Sequence, residues 1–95
     1  MSRCTFSPRA EKDFDGIFAF IAKDNPDAAR KFVDRLQASC EALAVHPLMG
    51  QRRVSRGNLY RVFSVHKYAV VYRKTSAGVE IVRVIHSARD ITRLF

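Results

Sequence analysis

The apolar pattern of this chain changes its period near residue 48, and this change constrains the fold more than any other feature. Before it, apolar side chains recur every three or four residues, which is typical of amphipathic helices. After it, three runs rich in Val, Ile, Tyr and Phe are typical of β-strands. A chain of 95 residues is too short for two cores, so we expect one domain, residues 1–95, with helices covering one face of a sheet. The predicted fold class is therefore α+β.

Two helices are predicted in the first half, and each begins with a capping residue followed by proline, Ser7-Pro8 and Asn25-Pro26. The capping side chain accepts from free N–H groups of the first turn, and proline lacks the N–H that would be unpaired there. The apolar stripes are Ala10, Phe14, Ile17, Phe18 and Ile21, then Ala29, Phe32, Val33, Leu36, Cys40, Leu43 and Ala44. The second helix should end near His46-Pro47, since proline disfavours a helical residue before it. The short link between the helices predicts an antiparallel hairpin.

The second half predicts a meander of antiparallel strands. Residues 48–57 are expected to be a basic loop, and strands are predicted at 58–65, 68–75 and 79–86 because the links between them are of hairpin length. Residues 3–7 are a candidate for a fourth strand at one edge, and the chain should end in a short helical turn. The predicted order is β-α-α-β-β-β.

The net positive charge of the chain lies entirely in its second half. Residues 1–50 carry seven basic and seven acidic side chains, whereas residues 51–95 carry ten basic side chains and only Glu80 and Asp90, which accounts for the formal net charge of +8. Segregated charge of this size indicates a surface for a negatively charged partner. It also directs attention to the strands.

Each predicted strand carries one arginine, Arg61, Arg73 or Arg83. Alternation along a strand groups Arg61 with Leu59 and Phe63, Arg73 with Ala69 and Val71, and Arg83 with Ile81 and Ile85. The opposite positions, Tyr60-Val62, Tyr68-Val70-Tyr72 and Val82-Val84, suit a core against the helices. If the arginine faces coincide, the three guanidinium groups converge on the uncovered side of the sheet, extended by Arg89 and by Arg52, Arg53 and Arg56. The alternative is that these arginines only keep an exposed face solvated.

The sequence offers little for catalysis beyond this patch. RNA cleavage needs a base, an acid and stabilisation of the phosphorane charge, and arginine supplies only the last of these. His86 is the one proton carrier expected near the arginines, and a structural role, with Asp90 as its partner, is the alternative. We therefore assign no catalytic residue; the ribonuclease alternative would use Arg61, Arg73, Arg83 and His86.

No ligand set for a metal and no cofactor motif is present. Cys4 and Cys40 lack metal or redox spacing, so we expect two buried thiols in a reducing cytoplasm. No apolar run is long enough to span a membrane, and no secretion signal is evident.

Several short motifs follow one another along the chain. They are Phe6-Ser7-Pro8-Arg9-Ala10, Ile17-x-x-x-Ile21, Asn25-Pro26-x-Ala28-Ala29, Pro47-Leu48-Met49-Gly50, Arg61, Tyr68-Ala69-Val70-Val71-Tyr72-Arg73, Ile81-Val82-Arg83-Val84-Ile85-His86 and Arg89-Asp90. In this order and spacing they resemble the ParE/RelE superfamily of small bacterial toxins from type II toxin–antitoxin systems. The resemblance covers essentially the whole chain and implies a helical hairpin packed on one face of a small, mainly antiparallel sheet.

The resemblance also implies a function and partners. RelE-like members cleave mRNA on the ribosome, usually with a tyrosine or a histidine–tyrosine pair near the C-terminus, whereas ParE-like members inhibit DNA gyrase. No tyrosine follows Tyr72 here, so the ParE branch, associated with plasmid stabilisation, is favoured over the ribonuclease and over a third alternative, a basic nucleic-acid-binding module.

A cognate antitoxin with an acidic, amphipathic C-terminal segment is the implied partner, in a hetero-oligomer in the cytoplasm. The residues expected to bind the target or the partner are Arg61, Arg73, Arg83, His86, Arg89 and Arg93.

Overall fold

The computed structural model describes residues 3–87, Asp90 and Arg93, and it places two helices against a five-stranded sheet. The elements are β1 (Arg3–Phe6), α1 (Pro8–Ala22), α2 (Pro26–Val45), β2 (Gln51–Ser55), β3 (Asn58–Val65), β4 (Tyr68–Lys74) and β5 (Gly78–His86). Asp90 and Arg93 of the predicted C-terminal turn have helical backbone, as does Ser87, whereas Ile91, Thr92, Leu94 and Phe95 lie outside the described residues. The α+β class is confirmed. Within the described residues, neither helix is long and apolar enough to cross a bilayer.

Both helices begin where the capping pairs predicted. The Ser7 hydroxyl accepts a hydrogen bond from the backbone N–H of Ala10 at 3.0 Å, and the Asn25 side-chain oxygen accepts from the N–H of Ala28 at 3.1 Å. Helix α2 ends at Val45, with His46 as its C-terminal cap. These local contacts fix where each helix begins.

The strands follow the order β1-β5-β4-β3-β2. Strands β2 to β5 form an antiparallel meander, and β1 pairs in parallel with β5 at the far edge, which confirms the expected edge strand. Gly78 permits this pairing, since a Cβ there would overlap the carbonyl oxygen of Arg3.

The prediction of a continuous loop over residues 48–57 was wrong, because residues 51–55 form β2. This strand is exposed at four of its five positions and has no alternation of apolar and polar residues. It pairs with β3 through a two-residue turn, Arg56-Gly57, in which both residues have positive φ (52° and 80°), as a tight hairpin of this type requires. The pairing therefore depends on β3 and the turn rather than on burial of β2.

The core lies between the helices and one face of the sheet. Leu36, Cys40 and Leu43 of α2 are fully buried there, together with Tyr72 and Ile81 of the sheet. A smaller cluster on the other face consists of Ala69, Val71 and Ile85, with Tyr60 and Val62 packed against it.

The predicted inner face was wrong for β3 and wrong in part for β5. In β3 the residues packed with the helical core are Phe63 and Val65, whereas Tyr60 and Val62 lie on the other side. Both sides of β3 are apolar in sequence, so alternation alone does not identify the inner one.

In β5 a register shift reverses the alternation, since Val71 pairs with Arg83 but Tyr72 pairs with Ile81. Val82 is therefore the extra residue of a bulge, which places Ile81 on the core side together with Val84.

Candidate functional site

Arg61 lies on the helix side of the sheet and holds the loop that follows α2. Its register partner is the buried Tyr72, and its Nη1 donates to the carbonyl oxygens of Gly50 at 2.7 Å and Leu48 at 3.3 Å. Because two neighbouring carbonyls share one guanidinium nitrogen, Arg61 fixes the path of this loop.

Tyr72 supports the same loop from the core. Its hydroxyl donates to the carbonyl oxygen of Pro47 and accepts from the N–H of Gly50, both at 2.8 Å. A Cβ at Gly50 would lie 2.8 Å from the Tyr72 ring and hydroxyl, so glycine is required for this close approach. The loop between α2 and β2 is therefore attached to the sheet at two points.

Arg73 lies on the opposite side of the sheet and forms a cross-strand ion pair with Glu80, with Nε 2.7 Å from Oε1. Its side chain is 53% exposed. A pair this accessible contributes little to stability, about 1 kcal/mol or less.

Arg83 forms an ion pair with Asp13 of α1. Its Nε lies 2.9 Å and its Nη2 3.2 Å from the two carboxylate oxygens, and the N–H of Val84 donates to the same carboxylate at 2.9 Å. The side chains are only 22% and 16% exposed. Hydrogen bonding to Asp13 raises the pKa of Arg83 above its ordinary value, against the effect of burial, which lowers it.

The contact between Asp13 and Arg83 lies beyond the end of β1, where β5 no longer pairs with a strand on that side. The last backbone contact on that side is from Ser7 N–H to the carbonyl oxygen of Ile81, and the Ser7 hydroxyl then donates to the carbonyl oxygen of Val82 at 2.7 Å. The carboxylate of Asp13 continues the series by accepting from Val84. The first turns of α1 thus replace a strand along this part of β5.

The three strand arginines do not converge on one face, because Arg61 lies on the helix side, whereas Arg83 is opposite Val71 in register, on the same side as Arg73. Arg61 contacts loop carbonyls on the helix side, Arg73 pairs with Glu80 on the other side, and Arg83 reaches α1. Arg93 is exposed, and Arg89 lies outside the described residues. Binding of a target or partner by these residues stays a prediction.

A groove of about 310 Å³ lies between α1 and the end of β5. It brings His86 together with Lys12, Asp13 and Tyr68, which nothing in the sequence connects with it. The lining residues are Lys12, Asp13, Gly16, Ile17, Phe20, Tyr68, Arg83, Val84, Ile85, His86 and Asp90. Phe20, on the amphipathic helix α1, is 65% exposed. The groove thus combines an accessible aromatic ring with charges of both signs.

His86 and Tyr68 are register partners in this groove, with ring centroids 5.7 Å apart and nearly perpendicular. The bulge produces this pairing, because without the one-residue shift Tyr68 would oppose Ile85. The alternative in which His86 donates to the Asp90 carboxylate is not observed: Nδ1 of His86 is buried and has no hydrogen-bond partner within residues 3–87, Asp90 and Arg93. From the sequence alone, pairing β4 with β5 outward from their turn would have placed Ile85, one residue before His86, opposite Tyr68.

Both cysteines are free thiols, as expected, but only Cys40 is buried, and Cys4 is partly exposed. Burial, with a smaller contribution from the Glu41 charge, raises the pKa of Cys4 to about 11. Burial, then Cys4 and Glu41, raises the pKa of Cys40 to about 12. Thiols with these pKa values are weak nucleophiles at neutral pH. The described part of the chain contains no cluster of three or more His, Cys, Asp or Glu suited to a metal ion.

Comparison with known proteins agrees with this architecture. A family model described as "ParE toxin of type II toxin-antitoxin system, parDE" matches residues 4–91. Toxin RelE3 of Caulobacter vibrioides is 31% identical over 92% of this chain and 96% of its own length, and toxin ParE1 of the same organism is 34% identical over 88% of each chain. A solved structure described as the chromosomal ParDE toxin–antitoxin system from P. aeruginosa has a TM-score of 0.75 at 18% identity, covering 90% of this chain and 96% of that one.

The fold and these relatives together define a small bacterial toxin. The chain belongs to the ParE/RelE superfamily of type II toxins.

Proposed function

We propose that this toxin is of the ParE type: it inhibits DNA gyrase by binding, without a chemical step of its own, and a cognate antitoxin neutralises it. The observation that carries the proposal is the separation of Arg61, Arg73 and Arg83, each of which is already held by another group. A ribonuclease of this size needs positive charge and two proton carriers around one phosphate. The match to a family model of ParE toxins also favours the ParE branch.

The antitoxin part of the proposal rests on charge and on the similarity to the P. aeruginosa structure, which is that of a ParDE toxin–antitoxin system. A chain with a formal net charge of +8 favours an acidic partner, and a toxin–antitoxin hetero-oligomer follows. The groove with the exposed Phe20 ring is a candidate position for an apolar side chain of that partner. Gyrase acts in the cytoplasm, so the proposal places the toxin there.

A RelE-like ribonuclease is the second candidate, and one observation favours it. The contact between His86 and Tyr68 puts an imidazole and a phenol together, beside Lys12 and Arg83, in an open groove. This pair would have to supply the acid and the base, with the cations stabilising the phosphorane. The identity to RelE3 is compatible with this reaction.

The experiment that separates the two uses purified toxin in two reactions. The first is supercoiling of a relaxed plasmid by gyrase, and the second is translation of a short mRNA followed by mapping of its cleavage. We expect inhibited supercoiling and intact mRNA. Cleavage that is abolished by both His86→Ala and Tyr68→Phe would replace the proposal with the ribonuclease. If neither reaction is affected but plasmid DNA binds with strong salt dependence, the chain is a nucleic-acid-binding module.

A further inference from the structure

On the side of the sheet that faces the helices, the β2–β3 hairpin places two arginines opposite each other and, beside them, two apolar residues opposite each other. Arg52 pairs in register with Arg61, and Val54 pairs with Leu59. We call these four residues the hairpin face. Val54 and Leu59 are 69% and 48% exposed, so this part of the hairpin extends beyond the cover of the helices.

Neither of the two opposed arginines forms an ion pair with a carboxylate of the described residues. Like charges directly opposite each other destabilise an antiparallel pair, and the sequence has no Asp or Glu between Glu41 and Glu80. Within the described residues the side chain of Arg52 makes no ion pair or hydrogen bond, and the guanidinium of Arg61 uses only Nη1, on two carbonyls. The remaining N–H groups of Arg61 are available for an acceptor from another molecule.

An apolar surface continues from the hairpin face. Val45, Leu48 and Met49 are 64%, 65% and 46% exposed and line a shallow groove at the end of α2 with His46 and Pro47. The bond from Arg61 to the Leu48 carbonyl joins this groove to the hairpin face. Exposed apolar side chains grouped beside positive charge are typical of a protein-binding surface.

We propose that the hairpin face and this groove bind an acidic, amphipathic segment of the antitoxin, with a carboxylate between Arg52 and Arg61 and apolar side chains against Val54, Leu59 and the groove. The inference rests on the proposed function only in taking the antitoxin as the source of the segment. A carboxylate placed between two opposed guanidinium groups removes their repulsion and forms charge-assisted hydrogen bonds.

Other occupants satisfy only part of this surface. The phosphates of DNA would pair with the arginines but would leave Val54 and Leu59 exposed to water. A second copy of this chain docked along the β2 edge would bring Arg52 of each copy close to the same residue of the other, without an acid between them. Charge and apolar area together fit an acidic amphipathic polypeptide.

The test measures the affinity of the full toxin for the full-length antitoxin encoded beside its gene, by titration calorimetry at low and moderate salt. We expect Arg52→Glu to weaken binding about tenfold or more, with a smaller salt dependence, and Leu59→Ser to weaken it several-fold. The matched control is Arg9→Glu in the first turn of α1, beside the opposite edge of the sheet, which should change affinity less than about twofold. Because Arg52→Glu replaces a repulsive pair with an attractive one, its unfolding temperature should not fall, which separates lost binding from lost folding.

The outcomes also separate this inference from the proposed function. If Arg52→Glu and Leu59→Ser both bind the antitoxin with unchanged affinity, the proposed antitoxin-binding surface is overturned, whatever the toxin does to gyrase. Weaker binding of a 20-base-pair duplex with unchanged antitoxin affinity also overturns it, in favour of nucleic acid. If the variants bind the antitoxin more weakly but the unmodified toxin does not inhibit gyrase, the proposed antitoxin-binding surface is supported and only gyrase is rejected as the target.

Discussion

The contact between Asp13 and Arg83 is the best place to test whether a strand arginine of this toxin is structural. Asp13→Ala removes two charge-assisted hydrogen bonds and leaves the N–H of Val84 without its acceptor. Breaking a buried pair costs about 3–5 kcal/mol and breaking an exposed pair about 1 kcal/mol or less. Since the two side chains are 22% and 16% exposed, we expect a loss of about 2–3 kcal/mol. That is a large part of the stability of a domain of this size.

The assay is urea unfolding in a double-mutant cycle. Asp13→Asn and Arg83→Met are measured singly and together, and we expect a coupling free energy of about 1.5–2 kcal/mol. The matched control is the cycle of Arg73→Met with Glu80→Gln, because that ion pair also joins an arginine to a carboxylate but has a 53% exposed arginine. Its coupling should be below about 1 kcal/mol. Equal coupling in the two cycles, or a value near zero for Asp13 and Arg83, would refute the reasoning from burial.

Two further predictions concern the core. Tyr72→Phe removes both hydrogen bonds of the hydroxyl, so unfolding should be easier by about 2 kcal/mol and the Gly50 amide should exchange faster while the Val70 amide does not; an unchanged Gly50 amide would contradict this attachment of the loop. Because burial raises the pKa of Cys40 from 9.0 to about 12, the folded state keeps a proton that the unfolded chain releases above pH 9, so stability is retained below pH 9 and falls as pH rises towards 12. Between pH 8.5 and 10.5 the free energy of unfolding should fall about 2 kcal/mol less in Cys40→Ala than in the unmodified chain, and equal slopes would refute it.

The sequence predicted the helices well because their signals are local. Ser7-Pro8 and Asn25-Pro26 mark the helix starts, and His46-Pro47 marks the end of α2. The strands at 58–65, 68–75 and 79–86 agree with β3, β4 and β5 to within one residue. Strand β2 was missed because an exposed edge strand with consecutive arginines carries no alternation, and its pairing depends on β3.

The candidate site was predicted less well because it depends on register. The bulge at Val82 reverses the sides of β5 and moves Tyr68 opposite His86, and no residue type marks a bulge in advance. Asp13 lies among the polar residues of α1, so nothing in the sequence distinguishes it from a solvated carboxylate. Its partner, Arg83, is 70 positions away along the chain.

Inhibition of gyrase by the purified toxin tests the central claim most directly. Relaxed plasmid, gyrase and ATP are incubated with increasing toxin, alone and after addition of equimolar antitoxin, and a parallel translation reaction reports mRNA cleavage. We expect supercoiling to be lost with toxin alone and to return with antitoxin, while the translated mRNA stays intact. Uninhibited supercoiling together with cleavage of the translated mRNA would contradict it.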